Sequence, residues 1–476
     1  MSDKAVSAAS ATESLQATGP VKRAIPSTII ITLMIVHINR AERRYVMAQG
    51  RIAFLSSYPP RRCGIATFTS DLIDNVLNAA HSQVEPVVLA MTNSDKLCYT
   101  DPVEFDIHFD NKNDYILAAD YLNEINADLV CLQHEFGLFG GTSTAGEYLE
   151  FLLNRLNVPL VTTLHTILLE PSDQQYRMIR RLANLSENMV VMSKYGGEIL
   201  RQVYGVPQER ITIIPHGIPD LPFSETLPYK QMEGLEGRTT ILTFGLLSRN
   251  KGIEVMLKSM AQIVKNIPDT LYIVLGATHP NVLKKEGESY RKSLEQMVED
   301  FGLQDNVAFI NEFVDNRKLH RFLQMADFYV TPYLSEKQIS SGTLAFALGT
   351  GRVIISTPYW CARELLAGNC GRLVPFNDPD GIAKTIFHLK QNPEEYRAIR
   401  SRAYTKGRSM TWSSAGRAYW RLFRDIIFEK KEAVVLPADS YLSKRIINRQ
   451  PAATANYMYG CENSLSKKTG NLAQVR

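Results

Sequence analysis

Cysteine is scarce and scattered in this chain. The six are Cys63, Cys98, Cys131, Cys361, Cys370 and Cys461, and no two form a CxxC pair. That spacing argues against a zinc ribbon or a disulfide framework and fits a reducing, cytoplasmic setting. A charge excess is also missing: 53 basic against 49 acidic residues leave +4, too little to expect nucleic acid as a partner. The apolar stretch "STIIITLMIV" at 27–36 has about half of the ~20 residues that a membrane-spanning helix needs. Lys22 and Arg23 precede it, but no small-x-small cleavage site follows, so it reads as part of a loosely attached extension over 1–46 rather than a signal peptide. Met47 stands as an alternative start, and a peripheral membrane contact through this stretch stays open. GxGxxG, HExxH, Walker A and GxSxG motifs do not occur. Their absence disfavours a nicotinamide-dependent oxidoreductase and gives no metal or cofactor site to expect. The single Asp-x-Asp, Asp378-Pro379-Asp380, is explained by turn chemistry.

What the chain does have is a periodic interior. Hydrophobic residues make up 45% and charged ones 21%, the balance of a globular protein with a large core. From residue 51 short β-branched runs alternate with helical stretches. Strands are predicted at 51–57, 85–91, 128–134, 159–164, 189–192 and 211–215, with helices between them, among others over 143–156 and 193–204. Near-continuous apolar strands separated by helices predict a parallel sheet covered on both faces. A polar stretch at 222–239 interrupts the pattern and reads as a linker. The alternation restarts with strands at 240–247, 270–277, 307–313, 327–333, 352–358 and 371–376. Ile253, Met256, Leu257, Met260, Ile263 and Val264 share one helix face. The expectation is therefore α/β: two doubly wound, Rossmann-like domains over 47–221 and 240–411, an amphipathic helix over 412–430, and a disordered tail over 437–476.

In doubly wound sheets ligands sit beyond the carboxyl ends of the strands, and four such ends carry chemistry. After the first strand, "SSYPPRRCGIATF" opens a helix at Gly64, beside Arg61 and Arg62, which suit an anion there. "QHEFG" places His134 and Glu135 at a strand end before a Gly-rich loop, and "VTTLHT" places His165 at another. "FGLLSRNKG" brings Arg249 and Lys251 to the first strand of the second half, where a lysine can clamp phosphate. Opposite it, "EKQISSGTLAFALGTGR" carries Ser340, Ser341, Gly342 and Thr343 at a helix start. Backbone amides left open there favour an anion, and the pairing with Lys251 points to a diphosphate.

Taken in order, "SYPPRRCGIATFTSDL", "LVTTLHT", "ITIIPHGI", "FGLLSRNKGIEVML", "LGTGRVIISTPYWCARELL" and "GRLVPFNDPDGIA" resemble the family 4 retaining glycosyltransferases of GT-B fold, over about 51–430, with features of a mannosyltransferase-like branch. The resemblance implies two Rossmann-like domains facing a cleft and a C-terminal helix that crosses back to the first. It implies a nucleotide diphosphate-sugar donor (a GDP- or UDP-hexose) held by the second domain, and a carbohydrate or lipid-linked acceptor held by the first. By position, Gly64 would lie near the donor phosphates, His165 against the transferred sugar and Lys251 on the diphosphate, with Ser340 to Thr343 offering their amides. His134 and Glu135 would serve acceptor or sugar. The chain departs from the family at three places. Leu246 stands where an arginine is usual, with Arg249 as the expected stand-in, and Gln338 and Phe346 replace two glutamates. Gln338 is then expected to orient the sugar without adding charge, and Phe346 to pack into core. Two outcomes follow: retaining hexosyl transfer, or a catalytically inactive protein that binds a nucleotide sugar.

Overall fold

A computed structural model describes residues 50–93, 97–142 and 145–435. The expectations for 1–46 and 437–476 fall outside these residues.

The first sheet has seven strands: β1 (Gly50–Ser56), β2 (Val84–Thr92), β3 (Val103–His108), β4 (Leu129–His134), β5 (Leu160–Leu164), β6 (Ser186–Val191) and β7 (Ile211–Ile213). Their order is β3-β2-β1-β4-β5-β6-β7, and every pairing is parallel. The connecting helices are α1 (Gly64–Ala79), α2 (Lys112–Glu124), α3 (Leu149–Leu153), α4 (Asp173–Leu185) and α5 (Lys194–Gln202). One short helix, α6 (Leu227–Met232), precedes the second sheet. That sheet comprises β8 (Thr239–Phe244), β9 (Thr270–Leu275), β10 (Val307–Ile310), β11 (Phe328–Thr331), β12 (Val353–Ser356) and β13 (Arg372–Leu373), in the order β10-β9-β8-β11-β12-β13. Around it run α7 (Ile253–Asn266), α8 (Pro280–Glu286), α9 (Ser289–Asp300), α10 (Asn316–Met325), α11 (Gly342–Gly349), α12 (Trp360–Leu365), α13 (Pro379–Gln391) and α14 (Pro393–Gly407), before the long α15 (Trp412–Val435). The chain order reverses between β1 and β4 in one sheet and between β8 and β11 in the other. Those are the two crevices where such sheets bind ligands.

Apolar strands explain the layering. Every residue of β4, β5, β8 and β9 is buried, which requires cover on both faces, and each sheet has an apolar cluster on either side. Trp412, Ala415, Tyr419, Phe423 and Ile427 repeat at helical spacing and bury against the first sheet. The Phe423 ring meets Phe54 edge-on at 6.4 Å, and the Tyr419 hydroxyl lies 3.0 Å from Thr163 Oγ1.

Three expectations need correction. β3 was not anticipated: "VEFDIH" is charged on alternate residues because it forms the edge of the sheet, with only Ile107 fully buried. The helix expected over 143–156 is only Leu149–Leu153 among the described residues; Gly140, Gly141 and Gly146 shape the chain before it. The stretch 222–239 is not a plain linker. It holds α6, and Lys230 is buried there with its ammonium 2.6 Å from the Asp327 carboxylate. Arg352, fully buried in turn, donates to the carbonyls of Ser224, Gln324 and Thr350. The segment is thus bound to the second sheet by charge-assisted hydrogen bonds that sequence periodicity cannot reveal.

Candidate active site

The carboxyl ends of β1, β4 and β5 and the segments after β8 and β11 open on one cavity of about 1480 Å³. Arg61, Arg62, Gly64, Glu135, His165, His216, Gln338, Ser340, Gly342 and Thr343 all line it.

On the second-sheet side, β8 ends at Phe244 and the chain turns at Gly245, whose φ is +118°. That conformation disfavours a side chain, and a Cβ would also be crowded, 3.2 Å from Thr343 Cγ2. Lys251 follows. Its Nζ lies 2.5 Å from the Tyr333 hydroxyl and 4.3 Å from that ring's centre. Among the described residues no carboxylate pairs with it. Facing it is the start of α11. Ser341 caps the helix by accepting from Leu344 N at 3.3 Å, so its hydroxyl is occupied. The amides of Gly342 and Thr343 at the first turn have no partner among the described residues, the usual condition of a helix start. Gly342 has a second constraint: a Cβ would meet His216 Nε2 at 2.6 Å.

On the first-sheet side, His165 and His216 flank Phe68, each with its ring about 5 Å from the Phe68 ring. His165 Nε2 donates to Gln133 Oε1 at 2.9 Å, leaving Nδ1 as an acceptor. His216 Nδ1 donates to Gly217 O at 2.7 Å, leaving Nε2 as an acceptor beside Gly342. Both rings reach the cleft but are set deep in the fold. Burial holds His165 down to about 3, helped by His216 and His134, and holds His216 down to about 4. Both are therefore neutral at physiological pH. Glu135 accepts from Thr166 Oγ1 at 2.6 Å, and burial raises its carboxyl above the usual range despite amide donors from Phe136 and Gly137.

The site residues read from the sequence divide three ways. Gly64, Glu135, His165, Gln338, Ser340, Gly342 and Thr343 meet at the cavity. Gly64 is exposed at the first turn of α1, with nothing within 4 Å of where a Cβ would be. Gln338 Nε2 donates to Ser340 O at 3.1 Å, and Ser340 Oγ donates to His165 O at 2.9 Å, tying the two sides together. Lys251 and Ser341 stand one layer behind the wall. Two expectations fail. His134 is fully buried, stacked on Phe139 at 5.8 Å and edge-on to Phe136 at 5.0 Å, and neither ring nitrogen has a hydrogen-bond partner. Strand alternation turns His134 away from the cleft and Gln133 toward His165. Arg249 does not supply the missing charge: its guanidinium pairs with Glu286 at 2.6 Å and lies over the Tyr290 ring, outward from the cavity. Phe346 packs against Phe244 and His216. His216, Gln133 and Tyr333 were missed. The histidine follows a strand, three residues beyond β7 where His165 directly follows β5, so a similar signal was available in "IIPHGI". The glutamine and tyrosine lie within apolar runs and carry no such mark. Among the described residues no three His, Cys, Asp or Glu side chains group so as to hold a metal ion, and no helix is long and apolar enough to cross a membrane.

Comparison with known proteins agrees with this architecture. Residues 74–220 match the family described as Glycosyltransferase Family 4, and residues 229–406 match Glycosyl transferases group 1. A phosphatidyl-myo-inositol mannosyltransferase of Mycolicibacterium smegmatis is 22% identical over 45% of this chain and 51% of its own length. An alpha-monoglucosyldiacylglycerol synthase of Streptococcus pneumoniae is 22% identical over 64% of this chain and 71% of its own. The chain thus spans only about half the length of the mannosyltransferase. Among solved structures, HepE of Anabaena in complex with UDP and glucose superposes with a TM-score of 0.62 at 17% identity, over 79% of this chain and 100% of its own. A trehalose-phosphate synthase of Burkholderia vietnamiensis gives 0.58 at 12%, over 79% and 100%. At these identities the likeness in structure is one of fold: two parallel-sheet α/β domains of GT-B type.

Proposed function

Because the chain belongs to the group 1 and family 4 glycosyltransferases, we propose that it moves a hexosyl group from a nucleotide diphosphate-sugar to an acceptor hydroxyl, with retention at the anomeric carbon and without a metal. One observation carries this reading. The unpartnered amides of Gly342 and Thr343 open on a cavity that His165 and Glu135 also line, and the Lys251 ammonium stands just behind that wall, bridged to Thr343 by the Tyr333 hydroxyl. A diphosphate fits against that wall, since helix-start amides and an ammonium both stabilise an anion. The sugar then lies toward His165.

The residues define what each can contribute. His165 and His216 are neutral, so each offers a hydrogen-bond acceptor to a sugar hydroxyl rather than a proton to the leaving group. Gln338 occupies the place of a carboxylate and brings no charge and no nucleophile. In the transfer the bond between the anomeric carbon and the diphosphate oxygen breaks, and the acceptor oxygen bonds to that carbon on the same face. The acceptor proton passes to the departing diphosphate oxygen. Lys251 and the α11 amides stabilise the charge developing there, so catalysis is positioning plus electrostatic stabilisation. The acceptor, a carbohydrate or a lipid-linked sugar, would enter along the Arg61 and Glu135 side.

The test is a matrix of UDP- and GDP-hexoses against saccharide and lipid acceptors, read by nucleoside diphosphate release and by mass and anomeric configuration of the product. Turnover with an α-product from an α-donor is expected. Tight donor binding with no turnover on any acceptor would favour the inactive binder instead.

A further inference from the structure

Tyr333 is an unusual neighbour for a phosphate-binding lysine. It follows β11 at its carboxyl end and is fully buried. Its ring stacks on Tyr359 at 5.0 Å and 16°, and its carbonyl accepts from Thr357 Oγ1 at 2.7 Å. The ring is therefore held by stacking and its backbone by a hydrogen bond. Its hydroxyl lies 2.5 Å from Lys251 Nζ and 3.2 Å from Thr343 Oγ1. Thr343 Oγ1 is in turn 3.3 Å from Ser341 Oγ, the cap of α11.

The polarity of this chain is determined by its first member. An ammonium can only donate, so the Tyr333 oxygen accepts from Lys251 and the phenolic proton is directed to Thr343. We propose that Tyr333 is a positioning residue for the donor site: it holds the Lys251 ammonium and the first turn of α11 in mutual register before a diphosphate arrives. Lys251 comes from the segment after β8, and Thr343 from the segment after β11. These are the two strands that flank the crevice, and Tyr333 is the side chain that bonds to both. Without it a four-carbon lysine stem over a small-residue turn keeps its rotamer freedom, and binding must then restrict it. A phenol serves better than a carboxylate here. It fixes the cation by hydrogen bond and ring face while adding no negative charge to compete with phosphate.

This rests on reading the cleft as a nucleotide diphosphate site. The test measures binding of UDP, GDP, ADP and dTDP by calorimetry to the full chain and to Tyr333→Phe, Lys251→Ala and the double variant, with melting temperatures recorded in parallel. Phenylalanine keeps the stacking on Tyr359 and the ring beneath the ammonium and removes only the oxygen. For the nucleotide that binds the unaltered protein, Tyr333→Phe is expected to weaken binding about five- to twentyfold at an unchanged melting temperature. The double variant should be weaker than Lys251→Ala by clearly less than the Tyr333→Phe factor, because the tyrosine acts in part through the lysine. A merely structural role would lower the melting temperature and leave that coupling at zero. If Lys251→Ala weakens binding while Tyr333→Phe matches the unaltered protein, or if the two losses multiply, the positioning role is overturned and the donor site stands. If the unaltered protein binds none of the four, both readings fall.

Discussion

Substituting His134 by phenylalanine should make the protein less sensitive to acid. The His134 ring is fully buried between Phe136 and Phe139, and both nitrogens lack partners. Burial lowers its pKa from 6.5 to about 3. An imidazole whose folded pKa is depressed binds fewer protons folded than unfolded, so stability falls as pH falls below 6.5 and the loss is complete only near 3. At pH 5 the unfolded ring is almost fully charged and the folded ring is not, which corresponds to about 2 kcal/mol, or roughly thirtyfold in the folding equilibrium. At pH 7.5 the term is close to zero. Urea unfolding of the unaltered protein and His134→Phe at both values isolates it. Any packing change from the larger ring is common to both, so the quantity read is the difference between the two differences. The variant should lose about 2 kcal/mol less than the unaltered protein between pH 7.5 and 5.0. An equal loss in both would refute the reasoning, since it would mean that the ring is hydrated or finds a partner. Activity at pH 7.5 should persist, because the contact of His134 with the site is its carbonyl, which accepts from His165 N at 3.0 Å.

Lys251→Ala should weaken donor binding by roughly ten- to hundredfold, the loss of one charge-assisted contact, whereas Arg249→Ala should leave it unchanged because Glu286 holds that side chain away; titration with the cognate nucleotide diphosphate separates the two. Gly342→Ala places a methyl 2.6 Å from His216 Nε2, so the first turn of α11 or the packed His216 ring must shift, and donor affinity should fall at least tenfold; wild-type affinity with the α11 start displaced in the variant's structure would mean that the amides are not used. Gln338→Ala removes the hydrogen bond to Ser340 O and should lower kcat more than it raises the donor KM, which steady-state kinetics will decide. Transfer should survive EDTA; complete loss restored by Mn²⁺ or Mg²⁺ would show that a metal, not Lys251 and the amides, meets the diphosphate.

The class of fold was legible in the amino-acid pattern. Continuous apolar strands separated by amphipathic helices can be satisfied only by sheets covered on both faces, and that rule is local enough to read from one chain. The same holds for the strand ends. Gly64, His165, Lys251 and the Ser340–Thr343 stretch stood out because polar, small or charged residues interrupt apolar runs there. Edge strand β3 did not stand out, since pairing on one side only leaves its pattern half polar. Side-chain direction and partnership came from the folded chain. Whether His134 or Gln133 faces the cleft depends on a period of two within an unbroken buried strand. Arg249 and Lys251 are two residues apart, yet one turns outward to Glu286 and the other inward to Tyr333. The burial of Lys230 and Arg352 depends on distant carboxylate and carbonyl oxygens that meet them in the core. Each of these outcomes is set by contacts between residues tens of positions apart. A single sequence encodes such contacts only through packing, so side-chain partners emerged from the folded chain and not from local pattern.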